Sequence, residues 1–505
     1  MDTMNGESYE KNVDGKLNKT NSIDGFYTNI AILVTGATGF VGKGVLEKLL
    51  RVCPRIAAIF ILLRPKKDQT IEQRLRKLID DPIYDSIRIN QPSVLKKIHP
   101  VKGDISLPDL GLSQEDRIML IENVNIVFHA AATVRFNEPL NVAVDINTKG
   151  TARMIQLCKE LKYVISVIYI STAYSNAYLS EIEEKVYTTD LEPSMVIDIC
   201  EGGDKILIDQ LEERVLKIYP NTYTFSKNLA EQIVSSNSDR LPVAIVRPSI
   251  IGASIEEPCP GWVDNIFGVT GIFFSVGIGI TKIILAKKNA SVDIVAIDFV
   301  VDSMICAAWH VTLHPNNNVK VYNCTNNAYP LRWGQMIDTL VQCNRETPMN
   351  NVLLYPFCLV IANKHVYNIL NIFLHILPAF IVDTFLKLSS RKPIMMKGNK
   401  RFNKLIASAY YFSTHEWTFC RDNISKMMVD VETLKDSEVV KLNRCMDWKK
   451  YIASYTAGIE KFILKEKSKS IDARRRRLSV LYWIHRLTQV LAITVSLAIV
   501  SYIIC

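Results

Sequence analysis

Two residues that stand four positions apart, Tyr223 and Lys227, have the spacing and the chemistry of an acid–base pair. Residues at positions i and i+4 lie on one face of a helix, and Asn221 or Thr222 could cap the start of such a helix. A lysine ammonium beside a phenol lowers the pKa of the phenol. Of the 20 tyrosines in the chain, only Tyr223 is followed by lysine at this spacing. We interpret Tyr223 as a proton donor and Lys227 as its partner; an ordinary surface pair is the alternative.

A strand that ends in hydroxyl side chains precedes this pair along the chain. The run 164–170 is apolar and predicts a buried strand, which is followed by Ser171 and Thr172. We select Thr172 as the hydroxyl that shares a substrate oxygen with Tyr223. Ser171 stays open as the alternative, because a shift of one residue in a strand exchanges the side chains on its two faces.

A glycine-rich turn has the pattern of a dinucleotide-binding site. Gly36, Gly39 and Gly42 stand between an apolar strand, 31–34, and a segment with helical periodicity, 43–51. The first glycine permits a tight turn, the second lets the backbone approach a diphosphate, and the third lets the helix pack closely on the strand. An ordinary glycine-rich turn is the alternative, but the flanking strand and helix favour the nucleotide site. The residues of this motif that are predicted to bind the cofactor are Gly36, Thr38, Gly39, Phe40, Val41 and Gly42.

The second predicted strand, 57–63, is followed by Arg64, which favours NADPH as the cofactor. Folds that select NAD usually carry an acidic residue here to hold the ribose 2′-hydroxyl, whereas arginine pairs with a 2′-phosphate. Lys66 and Lys67 add positive charge behind it, although a solvated basic loop would have the same composition. The other residues of the predicted NADPH site are Asp104, Ile105, Ala130, Asn147, Pro248 and Ser249, together with Tyr223 and Lys227.

Apolar runs alternate with helical patterns along the first part of the chain. Six strands are predicted, at 31–34, 57–63, around 101, and at 125–132, 164–170 and 243–246. This alternation indicates a parallel sheet with helices on both faces, and the continuous Val and Ile runs fit burial on both faces. We therefore predict an α/β fold: a Rossmann-type doubly wound parallel sheet, followed by a mainly helical C-terminal domain and a C-terminal transmembrane helix.

Charge and cysteine usage narrow the classes of function. The 505-residue chain carries a net charge of +9, of which the segment 461–477 contributes +6, with eight Lys or Arg against two acidic residues. A spread-out basic surface of the kind that binds nucleic acid is not indicated. The 11 cysteines are scattered without a CxxC pair, so we predict reduced thiols and no metal site.

The C-terminal end predicts a membrane anchor. Residues 487–505 carry no charge, and as a helix they would be about 28 Å long, close to the hydrocarbon thickness of roughly 30 Å. The arginines at 474–477 precede it, and positive flanks stay cytosolic, so the catalytic domain is expected to face the cytosol. A second apolar run, 366–382, is interrupted by polar residues and is marginal for a span; a core helix pair or the lining of an apolar groove fits it at least as well.

The predicted segments are a disordered tail at 1–28, an NADP-binding domain at 29–335, a C-terminal domain at 336–473, a basic juxtamembrane segment at 474–486 and the transmembrane anchor at 487–505.

Taken together, these motifs resemble those of the fatty acyl-CoA reductases of animals and plants, within the extended short-chain dehydrogenases/reductases. Ala296 stands where that family usually has proline, and Asn137 where an acidic residue is common. The resemblance covers nearly the whole chain and implies no single family member. The stretches that carry it are 32–42, 62–66, 128–136, 170–176, 247–261, 292–298 and 416–419, with Asn423.

The resemblance implies an NADPH-dependent reduction of long-chain fatty acyl-CoA to the primary alcohol. In this reaction Tyr223 would donate a proton, Thr172 would be the second donor, and Lys227 would orient the cofactor. The alternatives are reduction only to the aldehyde, a sterol or sugar-nucleotide dehydrogenase or epimerase of the same fold, and a membrane scaffold that binds nucleotide without catalysis. The expected location is a single-pass membrane position in the endoplasmic reticulum, with the peroxisome as the alternative, and a homo-oligomer stays open.

Overall fold

The computed structural model describes residues 21–66, 68–313, 318–326, 328–466 and 469–504. The strands of this described part are β1 Ala31–Thr35, β2 Ala58–Leu63, β3 Ile98–Lys102, β4 Ile126–His129, β5 Ser166–Ile170, β6 Glu181–Ile182, β7 Val243–Pro248, β8 Ile250–Gly252, β9 Ile283–Leu285, β10 Ser291–Val292, β11 Ile294–Ala296, β12 Lys320–Cys324, β13 Leu331–Arg332, β14 Leu359–Ile361 and β15 Thr418–Phe419.

The helices of the described part precede, separate and follow these strands. They are α1 Ile23–Tyr27, α2 Phe40–Val52, α3 Ile71–Ile79, α4 Asp85–Asn90, α5 Gln114–Asn123, α6 Leu140–Ala143, α7 Gly150–Glu160, α8 Pro193–Gly202, α9 Lys205–Leu216, α10 Thr222–Ser235, α11 Val269–Gly277, α12 Ile297–Leu313, α13 Trp333–Glu346, α14 Lys364–Asn371, α15 Leu377–Leu388, α16 Met395–Thr414, α17 Asp422–Glu432, α18 Trp448–Gly458 and α19 Ile471–Ile504. A π-helical turn, Ile372–Ile376, joins α14 to α15, and another, Val144–Lys149, joins α6 to α7.

Seven parallel strands form the central sheet in the order β12-β7-β5-β4-β1-β2-β3. The chain order runs outward in both directions from β1 and β4, so the crevice at the carboxyl ends of these two strands is the topological switch point. At that edge Thr35 pairs with Leu62 of β2 and with His129 of β4. Open α/β sheets bind their ligands in such a crevice, so the topology itself indicates where the site lies.

The predicted Rossmann-type parallel sheet is confirmed, with one strand more than the sequence indicated. The additional strand, β12, pairs with β7 at one edge of the sheet, from Lys320 beside Ala244 to Cys324 beside Pro248. Its fourth residue is Asn323, a polar residue that is fully buried. The Asn323 amide nitrogen donates to two backbone carbonyls outside the sheet, and a sequence pattern does not show these tertiary contacts.

Helices cover both faces of this sheet. Along β1, Ile32 and Val34 point into a core that includes side chains of α2 and α12. Leu33 points to the opposite face, into a core that includes side chains of α7 and α10. The alternation explains why the strand reads as a continuous apolar run, because both of its faces are buried.

A short helix, α1, lies in the segment 1–28 that we predicted to be a disordered tail. Residues 1–20 lie outside the described residues, but α1 is folded. Ile23, Phe26 and Tyr27 are buried, and the Tyr27 hydroxyl donates to the backbone carbonyl of Ile305 in α12 at 2.9 Å. A short apolar cluster inside a polar segment is enough to dock it on the core.

The part of the chain after β12 is mainly helical, as predicted. In the described part, the helix long and apolar enough to cross a membrane, by length and composition alone, is Lys364–Leu388. For the run 366–382 we left open a membrane span, a core helix pair and the lining of an apolar groove, and most of its apolar residues are exposed. The last helix, α19, contains most of the predicted anchor; Cys505 and several side chains beyond residue 491 lie outside the described residues, so the anchor stays a prediction.

Candidate active site

The glycine-rich turn lies at the topological switch point, and its geometry requires glycine at two positions. Gly36 follows β1 with φ +72°, and a Cβ there would lie 2.8 Å from the Ala130 carbonyl carbon, beyond β4. A Cβ on Gly42, in the first turn of α2, would collide with the carbonyl oxygen of Gly36. Side chains therefore cannot enter this crevice, which leaves the backbone open to a ligand.

The N-terminus of α2 completes a cradle for a dinucleotide. Gly39 stands at the N-cap position, so the first N–H groups of α2, those of Phe40 and Val41, have no capping side chain. Such N–H groups and the helix dipole favour phosphate. The Phe40 ring packs on Trp262 with 4.9 Å between centroids, which fixes the start of the helix. Thr38 belongs to the same turn, between the two required glycines. The residues present thus fit a nicotinamide dinucleotide, the group that the sequence predicted.

Arg64 directly follows β2, at the carboxyl edge of the sheet. Its side chain is 65% exposed, and its Nε lies 3.9 Å from Oδ2 of Asp104, which follows β3. The backbone N–H and the hydroxyl of Ser106 both donate to Oδ1 of Asp104 and hold that carboxylate in place. Ile105 beside it is buried against Gly150. Lys67 lies outside the described residues.

Asn147 and Pro248 link the strand ends to the elements around them. The Asn147 side chain accepts from the Thr133 N–H at 2.9 Å and donates to the Ser226 hydroxyl at 3.0 Å, which ties the loop after β4 to α10. The Pro248 carbonyl accepts from the Ala173 N–H at 2.9 Å. Ser249 donates to Asp293 through its hydroxyl. These predicted cofactor residues lie at the carboxyl edge of the sheet, and their own contacts are structural.

Tyr223 and Thr172 come together at this edge. Tyr223 lies in the first turn of α10, whose N-cap is Asn221, one of the two predicted caps; its side chain accepts from the Thr224 N–H at 2.9 Å. Burial raises the pKa of the Tyr223 phenol, and a hydrogen bond with the Thr172 hydroxyl lowers it in part. Ser171, the alternative donor, has a buried hydroxyl without a hydrogen-bond partner among the described residues. The hydroxyl that acts on Tyr223 in this structure is therefore that of Thr172, and its role as second donor stays a prediction.

Lys227 lies one turn further along α10 and is buried. Its ammonium donates to the Ile170 carbonyl at 2.6 Å and to the Tyr169 hydroxyl at 3.2 Å. Burial lowers its pKa to about 7, and the charge of Glu231 opposes that shift. We expected the ammonium to lower the pKa of Tyr223, but in this structure the group that lowers it is Thr172. The difference arises because the Lys227 side chain extends along α10 toward the end of β5.

Glu231 is a site residue that the sequence analysis missed. It follows Lys227 by four residues on α10, and its carboxylate is paired with the Arg247 guanidinium through two hydrogen bonds of 2.8 and 2.6 Å. Both side chains are fully buried. The Ser175 hydroxyl also donates to Glu231 at 3.1 Å. The sequence does contain a sign of Glu231, because Tyr223, Lys227 and Glu231 follow each other at a spacing of four and so lie on one face of α10.

His129 is a second residue that the sequence analysis did not select. Its ring lies at the end of β4, with Nδ1 2.7 Å from the Thr35 hydroxyl and Nε2 3.1 Å from the Thr151 hydroxyl. Burial, together with the charge of Lys227, lowers its pKa to about 3. The ring is therefore neutral at physiological pH and acts as a fixed hydrogen-bonding bridge between strand and helix. It also stacks on Tyr169, the phenol that accepts from Lys227.

Aromatic side chains form a wall beside Tyr223. Phe136 stacks on the Tyr223 ring with 5.7 Å between centroids, and Phe412 from α16 packs on Phe136 at 5.3 Å. Tyr174 joins Phe412 and Trp417 at 5.2 Å each. Two of these rings come from the C-terminal part of the chain, about 190 residues after Tyr223. The wall gives the site an apolar boundary that only tertiary folding assembles.

These features define the class of protein. A seven-stranded parallel sheet, a glycine cradle at its switch point and a Tyr–Lys pair on the adjoining helix are the parts of a nicotinamide-dependent reductase of the Rossmann type. Two family models described as male sterility protein match the chain, one over residues 34–304 and the other over residues 374–466.

Comparison with curated proteins gives the family. The chain is 36% identical to fatty acyl-CoA reductase 1 of Rattus norvegicus over 91% of its own length and 90% of that protein. It is 35% identical to fatty acyl-CoA reductase 2 of Homo sapiens over 92% of its length and 91% of that protein. The chain belongs to the fatty acyl-CoA reductase family, which confirms the resemblance inferred from its motifs.

Solved structures support the fold. The terminal R domain of the myxalamid PKS-NRPS biosynthetic pathway superposes with a TM-score of 0.59 at 19% identity, over 88% of this chain and 93% of that one. The reductase domain of a nonribosomal peptide synthetase from Mycobacterium tuberculosis gives a TM-score of 0.56 at 18% identity, over 85% and 91%. At this level of identity the comparison concerns architecture only.

Proposed function

We propose that the protein reduces long-chain fatty acyl-CoA with NADPH to the primary alcohol and releases CoA. The observation that carries the proposal is the Tyr223–Thr172 pair, which lies at the carboxyl edge of the sheet against the aromatic wall. A polar proton-donating pair beside an apolar wall fits a carbonyl attached to a long apolar chain. The names of the related reductases supply the same substrate class.

Two hydroxyl groups converge on the position of the substrate oxygen. When bound, NADPH supplies hydride to the carbonyl carbon. Tyr223 donates its proton to the oxygen that becomes negative, and Thr172 stabilises the same oxygen as a second hydrogen-bond donor. Burial keeps the Tyr223 phenol protonated at neutral pH, which is the state a general acid needs. Collapse of the resulting hemithioacetal releases CoA as the thiol and leaves the aldehyde.

Lys227 positions the donors and the cofactor ribose. Its hydrogen bond to the Ile170 carbonyl fixes the end of β5, directly before Ser171 and Thr172. In its charged form it favours the negative charge that develops on Tyr223 after proton transfer. The scheme requires no acyl-enzyme, so no cysteine has to act as a nucleophile, and Cys324, at the end of β12, is a buried thiol whose pKa is raised by burial.

Arg64 tests the cofactor preference. We expect Arg64→Glu to raise the KM for NADPH far more than the KM for NADH, because the new carboxylate would repel a 2′-phosphate and accept a hydrogen bond from a 2′-hydroxyl. The measurement is steady-state kinetics with both cofactors. Lys159→Glu makes the same charge change at an exposed position in the last turn of α7, which leads to β5, away from β2 in the sheet, and should leave the ratio of the two KM values unchanged. Equal effects of Arg64→Glu on the KM values of both cofactors would show that Arg64 does not contact the 2′-phosphate.

The stoichiometry tests the alcohol as the product. One glycine cradle and one Tyr–Lys pair would serve both reductions, so the aldehyde must stay bound while the cofactor is exchanged. Burying twelve CH₂ groups contributes roughly 10 kcal/mol before ordering costs, which slows escape of the aldehyde. We expect two NADPH oxidised per CoA thiol released from palmitoyl-CoA, with fatty alcohol extracted. A ratio of one, with the aldehyde trapped by hydrazine in full yield, would establish a two-electron reductase.

Two other functions make different predictions. A sterol or sugar-nucleotide dehydrogenase of this fold would oxidise an alcohol and release no thiol. A nucleotide-binding scaffold would not consume NADPH, and it would not need the Tyr223–Thr172 pair. NADPH consumption with palmitoyl-CoA by detergent-solubilised protein separates both from the proposed reductase.

The membrane anchor proposed at 487–505 is tested by deletion. Tyr482 and His485, which precede it in α19, pack on the Tyr355 ring, so a deletion that begins at 487 spares these contacts. We expect the truncated protein to become extractable by alkaline carbonate while the full chain resists extraction, with the catalytic domain on the cytosolic side. Resistance of the truncated protein would place the anchor elsewhere. Imaging of the full chain distinguishes the endoplasmic reticulum from the peroxisome.

A further inference from the structure

The helix Lys364–Leu388 buries polar side chains and exposes apolar ones, the reverse of a surface helix in water. Most of its buried residues are polar: Tyr367, Asn371, His375 and Asp383. Many large apolar side chains are exposed instead: Val366, Ile369, Ile372, Phe373, Leu377, Phe380, Ile381, Val382, Phe385 and Leu388, and six of these, Ile369, Phe373, Phe380, Ile381, Phe385 and Leu388, are more than half exposed. A surface helix in water directs its apolar stripe toward the core, so this face is built for surroundings other than water.

Hydrogen bonds hold the polar face against the protein body. Asn371 contacts His375 at 2.8 Å, and Nε2 of His375 accepts from the Lys282 N–H at 2.9 Å. Further on, the Asp383 carboxylate accepts from the N–H groups of Met395 and Met396 at 2.9 Å. These bonds cap α16 and fold the segment 364–404, which we name the basic hairpin. The two arms are therefore bound to each other, and His375 binds the first arm to the protein body, which favours a helix that lies along the domain.

Positive charge surrounds the apolar face of the basic hairpin. The segment carries eight Lys or Arg residues and one acidic residue, Asp383, which gives a net charge of +7. All eight basic residues are exposed: Lys364, Lys387, Arg391, Lys392, Lys397, Lys400, Arg401 and Lys404. Exposed apolar side chains beside lysine and arginine are the composition of helices that lie in the surface of an anionic membrane. A second protein copy would meet the same excess of charge and be repelled.

The basic hairpin and the last helix are connected through Lys282. Lys282 donates its backbone N–H to His375 and its ammonium to the Tyr355 carbonyl at 2.8 Å. The Tyr355 ring stacks on His485 of α19 at 5.5 Å. Lys282 therefore connects the hairpin to the segment from which the predicted anchor starts, two residues after His485. The hairpin and the start of the predicted anchor therefore lie close to each other.

We propose that the apolar face of the basic hairpin inserts into the headgroup and upper acyl region of an anionic lipid leaflet. The hairpin binds as a monotopic element and does not span the membrane. Its second arm is the first half of α16, a helix of 20 residues, about 30 Å long, whose last turn carries Phe412 into the aromatic wall beside Tyr223. The proposal does not depend on which reaction the site performs.

Site-specific photocrosslinking in the full chain tests this inference. p-Benzoylphenylalanine replaces Phe380 or Phe385, and the protein is reconstituted in vesicles of phosphatidylcholine and phosphatidylserine. The matched control position is Ile206 in α9, which is 71% exposed. We expect lipid adducts from Phe380 and Phe385 and only background yield from Ile206. Adducts at background yield at both hairpin positions, or a crosslinked product of twice the mass of the chain, would overturn the proposal.

Charge neutralisation provides a second measurement. In the Phe380 photoprobe chain, the triple substitution Lys397→Gln, Lys400→Gln and Lys404→Gln removes three exposed charges without touching the apolar face. We expect the adduct yield in phosphatidylserine vesicles to fall to the yield measured in pure phosphatidylcholine. An unchanged yield in both lipids would show that anionic headgroups do not hold the hairpin. NADPH binding by the variant reports that the fold is intact.

Discussion

Tyr223→Phe is expected to lower kcat by about 10²–10⁴-fold, the usual contribution of a general acid. The substitution removes one hydroxyl and almost no volume, so the stack on Phe136 remains. The Thr172 hydroxyl would keep its place as the second donor, which accounts for a residual rate. NADPH binding should survive, because the glycine cradle lies on β1 and α2 and the substitution lies on α10. The measurement is single-turnover reduction of palmitoyl-CoA, with cofactor binding followed separately.

Thr172 and Ser171 give the matched comparison for that experiment. Thr172→Val removes the hydroxyl that hydrogen-bonds Tyr223, and we expect a smaller loss of rate than in Tyr223→Phe. Ser171→Ala removes a hydroxyl that has no partner among the described residues, and we expect a rate near that of the unchanged chain. A near-normal kcat in Tyr223→Phe would show that Tyr223 is not the general acid. A larger loss of rate in Ser171→Ala than in Thr172→Val would show that Ser171, and not Thr172, is the second donor.

Local patterns were sufficient to predict the parts of the site that lie next to each other in sequence. The strand, turn and helix around Gly36 and Gly42 are formed by 22 consecutive residues, 31–52, and the backbone conformation that demands glycine is a local property. The Tyr223–Lys227 face likewise depends only on helical spacing. The structure brings the Thr172 hydroxyl to Tyr223, but the choice of Thr172 over Ser171 as second donor stays a prediction, because a sequence does not fix the register of a strand.

Contacts between distant segments could not be predicted in the same way. The aromatic wall needs Phe412 of α16 beside Phe136, 276 positions earlier, and nothing in either segment specifies the other. The basic hairpin shows a second limit. An apolar run indicates that a segment avoids water, but it does not say whether protein or lipid replaces the water. The polar residues at 371, 375 and 383 distinguish these two cases only when the structure shows that they are the buried side of the helix.

Glu231→Gln is expected to cause the largest loss of stability among single substitutions at the site. Glu231 accepts two hydrogen bonds from Arg247, and both side chains are fully buried. Removing one charge of a buried pair leaves the other uncompensated and typically costs about 3–5 kcal/mol. The measurement is thermal unfolding in detergent. Glu213→Gln makes the same change in the exposed i,i+4 pair with Lys217, where ion pairs contribute about 0–1 kcal/mol, so its unfolding temperature should stay close to that of the unchanged chain.

The same substitution has an effect on pH dependence that a loss of stability alone would not produce. The charge of Glu231 raises the pKa of Lys227 against the lowering by burial, which brings it to about 7. If catalysis needs the charged lysine, kcat/KM falls as the pH rises through that pKa. Neutralising Glu231 removes the opposing charge, lowers the pKa of Lys227 further, and moves this fall in kcat/KM to lower pH. If kcat/KM becomes smaller at every pH but still falls at the same pH, Glu231 has only a packing role, and Lys227 is not the group whose titration causes the fall.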